Sequence, residues 1–372
     1  MIETCIIKGS VDEPGDEPVI LRRQFSTMPA ELKEFALWLE ENECLHVAME
    51  STGVYWLPVY EEIEARGNYE RILVANATHM RNLPGRKTDV KDAEWIATLL
   101  RHGLLPSSFI PGREIRNLRK ASRMYKKIIG EKSRYVNRVE KLLQAHGFKL
   151  SSVLSDIMCV SGRDILRLLA ERGSLTVYDI QKCLKRRTKH TADEIHEAAS
   201  GSLNEAERAM LKLLLREIED CERNIETILS IMTEIADPYQ SQISLIDSVY
   251  GIDKKAALLI LAEIGPAPWK EFSSAEKLCS WAGLSPRNDE SAGKIKSRKI
   301  LPGNPYVKSI LCQVAWVAVY NRKSNFGQWF WSHQARIGKK KAIIAVSRKI
   351  LTTIYIMLRD GTPYDPEYSC AG

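Results

Sequence analysis

The sequence predicts an α/β N-terminal domain with a mixed sheet, followed by a long helical region and a mostly α C-terminal domain. Strand and helix patterns alternate between residues 46 and 74, which is typical of parallel strands. Two further strand patterns enclose a turn rich in Gly, Pro and acids before that stretch, and they predict an antiparallel hairpin. After residue 113 the patterns are helical. We therefore place domain boundaries at 1–112, 113–240 and 241–372.

The N-terminal elements follow from local signals. Apolar spacing and a Pro at the first position predict a helix over Pro29–Asn42, and Gly103 ends a predicted helix that begins near Asp89. The other predicted elements are strands at Thr4–Lys8, Val19–Phe25 and Glu70–Val74, a short apolar segment at His46–Met49, a helix at Tyr55–Arg66 and an extended piece at Ser108–Ile110.

Two long helices are predicted in the middle region. Residues 113–149 form one, and residues 203–236 carry apolar side chains mostly three or four apart and end before Asp237-Pro238. The second pattern predicts a helical hairpin or coiled-coil arm through which the chain forms a homo-oligomer. Leu245–Gly265 predicts a helix, a tight turn at Gly251-Ile252 and a second helix.

The composition indicates a folded protein. Of the 372 residues, 44% are hydrophobic and 27% charged, which excludes a mostly disordered or fibrous chain. The longest apolar runs fall far short of the ~20 residues that span a bilayer, so we expect no membrane partner. The eight cysteines lack metal-ligand spacing and predict reduced thiols in a cytoplasmic protein.

Charge is distributed unevenly along the chain. Residues 1–70 hold fifteen acidic against five basic residues, whereas residues 113–149 hold twelve basic against three acidic ones. This asymmetry predicts an acidic module followed by a region that binds polyanions.

Three carboxylates are candidate metal ligands. Glu50 follows a predicted strand, while Asp89 and Asp92 lie three apart at the start of a predicted helix. Oxygen ligands of this kind suit Mg²⁺, and a pair of such ions supports phosphoryl transfer. The alternative is that the aspartates cap the helix and Glu50 is solvated.

Ser291 is a candidate nucleophile. Acidic residues precede it and basic residues follow it, so a phosphodiester could be held beside its hydroxyl group. The alternative is an ordinary serine in a polar loop.

Three basic tracts are candidate nucleic-acid contacts, because cations that neutralise phosphates release counterions from the nucleic acid. We add the two bases before Asp89 to these tracts. Nearby aromatic residues could stack on bases, although we expect Trp316, Trp329 and Trp331 to pack in the core. The candidate residues are Arg86, Lys87, Arg116, Arg119, Lys120, Arg123, Lys126, Lys127, Arg134, Arg138, Lys294, Lys296, Arg298, Lys299, Lys339, Lys340 and Lys341.

The motifs around these candidates resemble those of DEDD-type transposases of the insertion sequence 110/1111 family. The first is Glu50-Ser-Thr-Gly-Val-Tyr-Trp, and the second runs from Asn82 to Ala93 with both aspartates. Ala262-Glu263-Ile264-Gly265, Ala282-Gly283-Leu284 and the stretch from Asn288 to Lys294 resemble the C-terminal transposase domain of that family.

The resemblance implies a RuvC-like, RNase H-like fold for the first domain. It also implies that Glu50, Asp89 and Asp92 bind Mg²⁺ and that Ser291 forms a covalent link to DNA in one composite site with them. The expected function is transposition of a mobile element by DNA cutting and rejoining. DNA, an element-encoded guide RNA and other copies of the chain, in a dimer or tetramer, are the partners that it implies.

One motif of the family has no counterpart here. Its first carboxylate belongs to a Gly-Ile-Asp-like motif on the first strand, and Thr4–Lys8 resembles the strand after it, so we expect that first strand to be truncated. Two alternatives therefore stay open. The chain could be a metal-dependent, junction-resolving nuclease without a covalent intermediate, or an inactive nucleic-acid-binding remnant.

Overall fold

The computed structural model describes residues 1–9, 18–51, 53–76, 89–185, 189–286, 289–291, 294–297 and 299–365. The side chains of residues 89, 90, 289–291 and 294–296 lie outside that description. The chain divides into two compact units, Met1–Pro111 and Gly112–Gly372.

The first unit contains two strand pairs and three helices in its described part. Its elements are β1 (Ile2–Lys8), β2 (Val19–Phe25), α1 (Pro29–Glu41), β3 (His46–Glu50), α2 (Trp56–Arg66), β4 (Arg71–Ala75) and α3 (Asp89–Arg101). β1 and β2 are antiparallel, with Ile2 opposite Phe25, and β3 and β4 are parallel, with Glu50 opposite Ala75.

The predicted mixed sheet is observed only as these two separate pairs. Among the described residues, backbone hydrogen bonds do not join the β1–β2 pair to the β3–β4 pair. Helix α3 packs against both β1 and β3, so this one helix contacts both strand pairs. Phe25, Phe35 and Ile63 are among the buried side chains that connect β2, α1 and α2 in one apolar core.

The second unit is almost entirely helical in its described part. Its elements are α4 (Arg113–Ala145), α5 (Leu150–Val153), α6 (Val160–Arg172), α7 (Val177–Cys183), α8 (Ala192–Ala198), α9 (Glu205–Ile235), a 3-10 turn (Asp237–Tyr239), α10 (Gln240–Asp247), α11 (Lys254–Ile264), α12 (Pro268–Glu271), α13 (Ala275–Trp281), β5 (Asp289–Ser291), β6 (Lys294–Ser297), α14 (Pro305–Tyr320), α15 (Asn325–Ile337) and α16 (Lys339–Asp360). Among the helices in the described ranges, none combines the length and apolar character needed to cross a bilayer.

The predicted long helices pack against each other within the chain. α4 and α9 form the most extensive helix pair of the second unit, and α9 buries Leu211, Ile218 and Met232. The apolar stripe at 203–236 that we assigned to oligomer contacts is therefore covered in large part by α4. Asn204 begins α9 with a reciprocal capping box, because its side chain accepts from Glu207 N while the Glu207 carboxylate accepts from Asn204 N.

A carboxylate on α9 joins three helices. Glu222 accepts a hydrogen bond from Arg163 of α6 (Nη1–Oε2, 2.7 Å) and lies 2.6 Å from Nζ of Lys132 on α4. The hydrogen bond from Arg163 is the largest cause that lowers the Glu222 pKa to about 2. The ionised carboxylate is thus more favourable in the folded chain than in the unfolded chain.

A second and deeper ion pair joins α4 to α11. The Glu263 side chain is fully buried, and both of its oxygens accept from Arg123 at 3.0 Å. Arg119 Nη2 donates to the Glu263 backbone carbonyl at 2.6 Å, and Asn304 Nδ2 donates to Glu263 Oε2 at 2.6 Å. One carboxylate thereby ties α4, α11 and the start of α14 together.

Burial affects two of the cations around Glu263, while the Arg123 side chain is 38% exposed. Burial lowers the pKa of the Arg119 guanidinium to about 10, and the carboxylate of Glu263 opposes this shift, so Arg119 remains charged at neutral pH. Burial also lowers the pKa of Lys126, whose Nζ donates to the Tyr306 carbonyl at 2.7 Å. A buried ion pair of this kind is costly to break from one side, because the remaining charge loses its partner.

We predict that Glu222→Gln lowers the free energy of unfolding, relative to wild type, by more at pH 6 than at pH 3. The folded pKa is below the ordinary 4.5, so the stabilisation is complete above about pH 4.5 and is lost as the pH falls toward 2. We expect a loss of about 2 kcal/mol at pH 6, or about 5 °C in Tm, measured by calorimetry. Exposed Glu226 on the same helix provides the control variant Glu226→Gln. An equal loss at both pH values would contradict the prediction.

We predict a larger loss, about 3 kcal/mol in the free energy of unfolding, for Glu263→Gln at pH 7. The amide keeps an acceptor for Asn304 but leaves Arg119 and Arg123 without a counter-charge. Urea unfolding measures the loss, and a cycle with Arg123→Gln should give a coupling of at least about 1 kcal/mol. A loss no greater than that of Glu226→Gln would show that Glu263 does not hold this contact.

Candidate functional site

Glu50 lies at the carboxyl end of the parallel strand pair. It is the last residue of β3, and the chain continues in register because Ser51 N donates to Ala75 O at 2.9 Å. Glu50 is partly buried. The carboxyl ends of parallel strands are a common position for functional side chains, because the loops that follow them open a crevice.

The two aspartates lie in the first turn of α3. Asp89 is the first residue of this helix, and Asp92 is exposed one turn later. Helix N-termini favour negative charge, so this position accepts carboxylates without a penalty. Helix α3 packs against β3, the strand that ends in Glu50. The structure thus brings together the two elements that carry Glu50 and Asp92.

Another acid of α3 has a structural partner. Glu94 Oε2 accepts a hydrogen bond from Arg22 Nη2 of β2 at 2.6 Å, and this bond raises the pKa of Arg22. Among described side chains, which do not include that of Asp89, no group of three His, Cys, Asp or Glu residues could hold a metal ion. Of the three candidate ligands, the structure therefore describes the side chains of Glu50 and Asp92.

Ser291 lies at the turn end of a short hairpin. It is the last residue of β5, and its partner in the antiparallel ladder is Lys294, the first residue of β6. A register shift between Asp289 and Glu290 bends the ladder, and an isolated bridge between Pro286 and Ile300 closes the base of the hairpin. The sequence indicated a polar loop here, and the structure forms a hairpin.

The base of this hairpin is closely packed. A Cβ atom added to Gly303 would lie 2.2 Å from Gly283 N, so the backbone segments before and after the hairpin touch. Asn304 N donates to Trp281 O at 3.0 Å, and Asn304 Oδ1 accepts from Tyr306 N at 2.9 Å to begin α14. Because Asn304 also bonds to Glu263, the buried ion pair supports the segment that carries Ser291.

Glu263 was not among the predicted functional residues, although it organises the contacts of α4, α11 and α14. Its signal was present, since Glu263 is the single charged residue in the apolar run from Ala256 to Ile264. A lone charge on an otherwise buried helix requires a partner inside the protein.

The basic residues of α4 separate into two groups. Arg116 is buried, and Arg119, Arg123 and Lys126 lie in or beside the Glu263 cluster, with the Arg123 guanidinium 4.6 Å from the Tyr306 ring centre. These four residues have contacts within the chain, the Arg123 side chain is 38% exposed, and their contact with nucleic acid stays a prediction. Lys120, Lys127, Arg134 and Arg138 are exposed.

The other predicted nucleic-acid residues are distributed as follows. Lys339, Lys340 and Lys341 are exposed in the first turn of α16, and Lys299 is exposed after the serine hairpin. Lys294 and Lys296 lie on β6. Arg86, Lys87 and Arg298 lie outside the described residues.

The tryptophans that we expected in the core have mixed environments. Trp329 stacks on His333 with ring centres 4.3 Å apart, and Trp331 Nε1 donates to Val319 O at 3.0 Å. Trp316 contacts Phe330 edge to face but is 49% exposed. Trp316 and Trp331 are thus exposed in part and not core residues as we expected, and Trp329 is half-buried.

The predicted helix–turn–helix at 245–265 is present. α10 ends at Asp247, and Gly251 has φ +92° where it passes within contact distance of Ala318 on α14. Asp253 caps α11 by accepting from Ala256 N at 2.7 Å. The Asp253 carboxylate thus has a structural role at the start of α11.

Comparisons with known proteins match the two motif regions separately. A family model described as a transposase of the DEDD type matches residues 10–147, and the model of the IS116/IS110/IS902 transposase family matches residues 243–329. Together they cover more than half of the chain.

Two curated relatives are similar over a shorter stretch. They are the pilin gene-inverting proteins of Moraxella bovis and Moraxella lacunata, each 34% identical over 126 residues. The aligned stretch covers 33% of this chain and 38% of the length of each relative. With the carboxylates in the first matched region and the serine hairpin in the second, the chain belongs to the IS110 family of DEDD-type transposases.

Proposed function

We propose that the chain is the recombinase of an insertion-sequence element, which cuts and rejoins DNA during transposition. One observation carries this proposal. The two segments matched by transposase models contain all four candidate catalytic residues, because Glu50, Asp89 and Asp92 fall within 10–147 and Ser291 falls within 243–329. The relatives support it, since inverting a gene requires DNA strands to be cut and rejoined.

The carboxylates are proposed to bind Mg²⁺. The set contains only oxygen donors, which Mg²⁺ prefers, and α3, which carries Asp92, packs against β3, which ends in Glu50. When bound, the metal would supply charge stabilisation for phosphoryl transfer. Glu50, Asp89 and Asp92 would hold it, and the exposure of Asp92 would leave such a metal accessible to a phosphate oxygen.

Ser291 is proposed as the nucleophile. Its hydroxyl oxygen would attack the scissile phosphorus, forming a phosphoserine ester and breaking the bond to one strand end, which leaves as a hydroxyl group after gaining a proton. Attack by the hydroxyl of another strand end would reverse these steps and restore a free serine. The position of Ser291 at the tip of a hairpin with a packed base favours this role, because the tip can enter a DNA groove while its base stays fixed.

DNA, an element-encoded guide RNA and further copies of the chain are the proposed partners. The exposed bases Lys120, Lys127 and Arg134 on α4 and the lysines at the start of α16 suit any phosphate backbone. They do not distinguish RNA from DNA.

We predict that Ser291→Ala abolishes recombination and covalent capture of DNA. The genomic segment that encodes this chain, with its flanking DNA, is placed on a plasmid, and new junctions are counted by sequencing. Loss of the nucleophile should reduce junctions at least about a hundredfold, and the protein–DNA adduct should disappear. Ser309→Ala provides the matched control, because Ser309 is exposed on α14 of the same region.

Glu50→Gln and Asp92→Asn are tested alongside. The proposal expects each of them to block cleavage as well as adduct formation. Cleavage that persists in Ser291→Ala but stops in Glu50→Gln would instead identify a metal-dependent nuclease without a covalent intermediate. Binding of DNA by the wild-type chain with no cleavage at any magnesium concentration would identify a binding remnant.

A further inference from the structure

Five basic residues of α4 recur at every seventh position, and each of them is exposed. They are Arg113, Lys120, Lys127, Arg134 and Lys141, and we call them the α4 row. Seven residues are close to two helical turns, so positions seven apart lie on nearly the same face of a helix. None of the four basic residues in or near the Glu263 cluster belongs to this row.

The row runs along the outer side of the helix. Leu118 and Tyr125 are buried positions of α4, and row members lie two residues after them, about 200° around the helix axis. At a rise of about 1.5 Å per residue, neighbouring members are about 10 Å apart and the row is about 42 Å long. Because α4 packs against α9 and α11, its 33 residues form one supported, continuous element.

Among the described residues, the acids of α9 that form ion pairs do so with bases outside the row. On α9, Glu222 pairs with Lys132 and Arg163, and Glu219 pairs with Arg167. In the row itself, Arg134 lies 3.5 Å from Glu131, and both side chains are exposed. Within the part of the chain that the structure describes, Arg113, Lys127 and Lys141 form no ion pair. The positive charges of Arg113, Lys127 and Lys141 are therefore available to an external anion.

The side chains beside the row favour a double-stranded ligand. Single strands are held by aromatic rings on which bases stack. The exposed neighbours Asn117, Met124 and Asn137 offer no such ring, and Tyr135 is partly buried with the Arg138 guanidinium 5.0 Å from its ring centre. The row is about 42 Å long and turns by about 80° around the helix, because each step of seven residues drifts by about 20°. This length equals about 12 base pairs at 3.4 Å each, slightly more than one turn of a stiff duplex. Cations alone contact phosphates and do not read bases.

We propose that the α4 row is a binding track for the sugar–phosphate backbone of a nucleic-acid duplex. The proposal rests on the proposed function and specifies which face of the chain holds the duplex. It excludes Arg116, Arg119, Arg123 and Lys126 from that contact. Binding along the track is independent of sequence, and its chemistry is shared by DNA and RNA duplexes.

The test replaces three row members in the full-length chain, as Lys127→Gln/Arg134→Gln/Lys141→Gln. The control Lys212→Gln/Arg216→Gln/Arg223→Gln removes three exposed bases from α9 and changes the net charge equally. Fluorescence anisotropy measures binding to a 24-bp DNA duplex, an RNA duplex of the same sequence and the DNA single strand at several salt concentrations.

We expect the row variant to bind at least one duplex about tenfold more weakly at 0.1 M salt. The slope of log K against log salt should become shallower by about 2.7, or about 0.9 for each lost phosphate contact. The control should stay within about twofold of wild type. If the slope becomes shallower for only one duplex, the track binds that kind of nucleic acid. If it becomes shallower for both, the track binds DNA and RNA duplexes alike.

Three outcomes would overturn the proposal. If the salt slope of the row variant equals that of wild type, the proposed track is wrong. The recombinase proposal would stand in that case, because the wild-type chain still binds nucleic acid. An equal loss in the control shows that net charge matters and the row does not. A loss confined to the single strand excludes a duplex. If the wild-type chain binds none of the three probes, the recombinase proposal fails together with the track.

Discussion

The arrangement of the second unit depends on the buried carboxylate of Glu263. An ionised group inside a protein is tolerated only with a close counter-charge, and α4 supplies Arg119 and Arg123 for this purpose. This requirement fixes the rotation of α4 about its axis. Once these two residues face α11, Leu118 is buried and Lys120 and Lys127 face outward. Asn304 extends the same contact to the segment that carries the serine hairpin.

The same rotation explains what sequence composition could and could not predict for α4. A count of bases over 113–149 predicted that the helix binds polyanions but treated structural and exposed bases alike. The two groups differ in periodicity, since Arg116, Arg119, Arg123 and Lys126 follow spacings of three and four, whereas the exposed row follows a spacing of seven. The inward face became recognisable only with its partner, because Glu263 lies some 140 residues later in the chain.

In the first unit, local patterns predicted elements better than their assembly. The alternation at residues 46–74 gave the parallel pair, and Gly103 follows α3 in the structure as expected. How strand pairs combine depends on contacts between distant segments, which propensities do not encode. The sequence predicted one mixed sheet, whereas the described residues of this unit form two separate strand pairs. The serine hairpin is a similar case, because its ladder has a register shift and only seven strand residues, too short for a periodic pattern.

The lysines at the start of α16 follow a different physical logic from those near Glu263. Lys339, Lys340 and Lys341 lie in the first turn, where the helix dipole disfavours cations by about 0.3–1 kcal/mol each. Folding alone gives no reason for three exposed positive charges at this position, because packing of α16 relies on apolar residues such as Ile343 and Ile350. A bound phosphate backbone would make the electrostatic energy of these three lysines favourable. Bases that cost stability in the free chain are thus the ones best placed to bind a polyanion, while those that stabilise it are already paired.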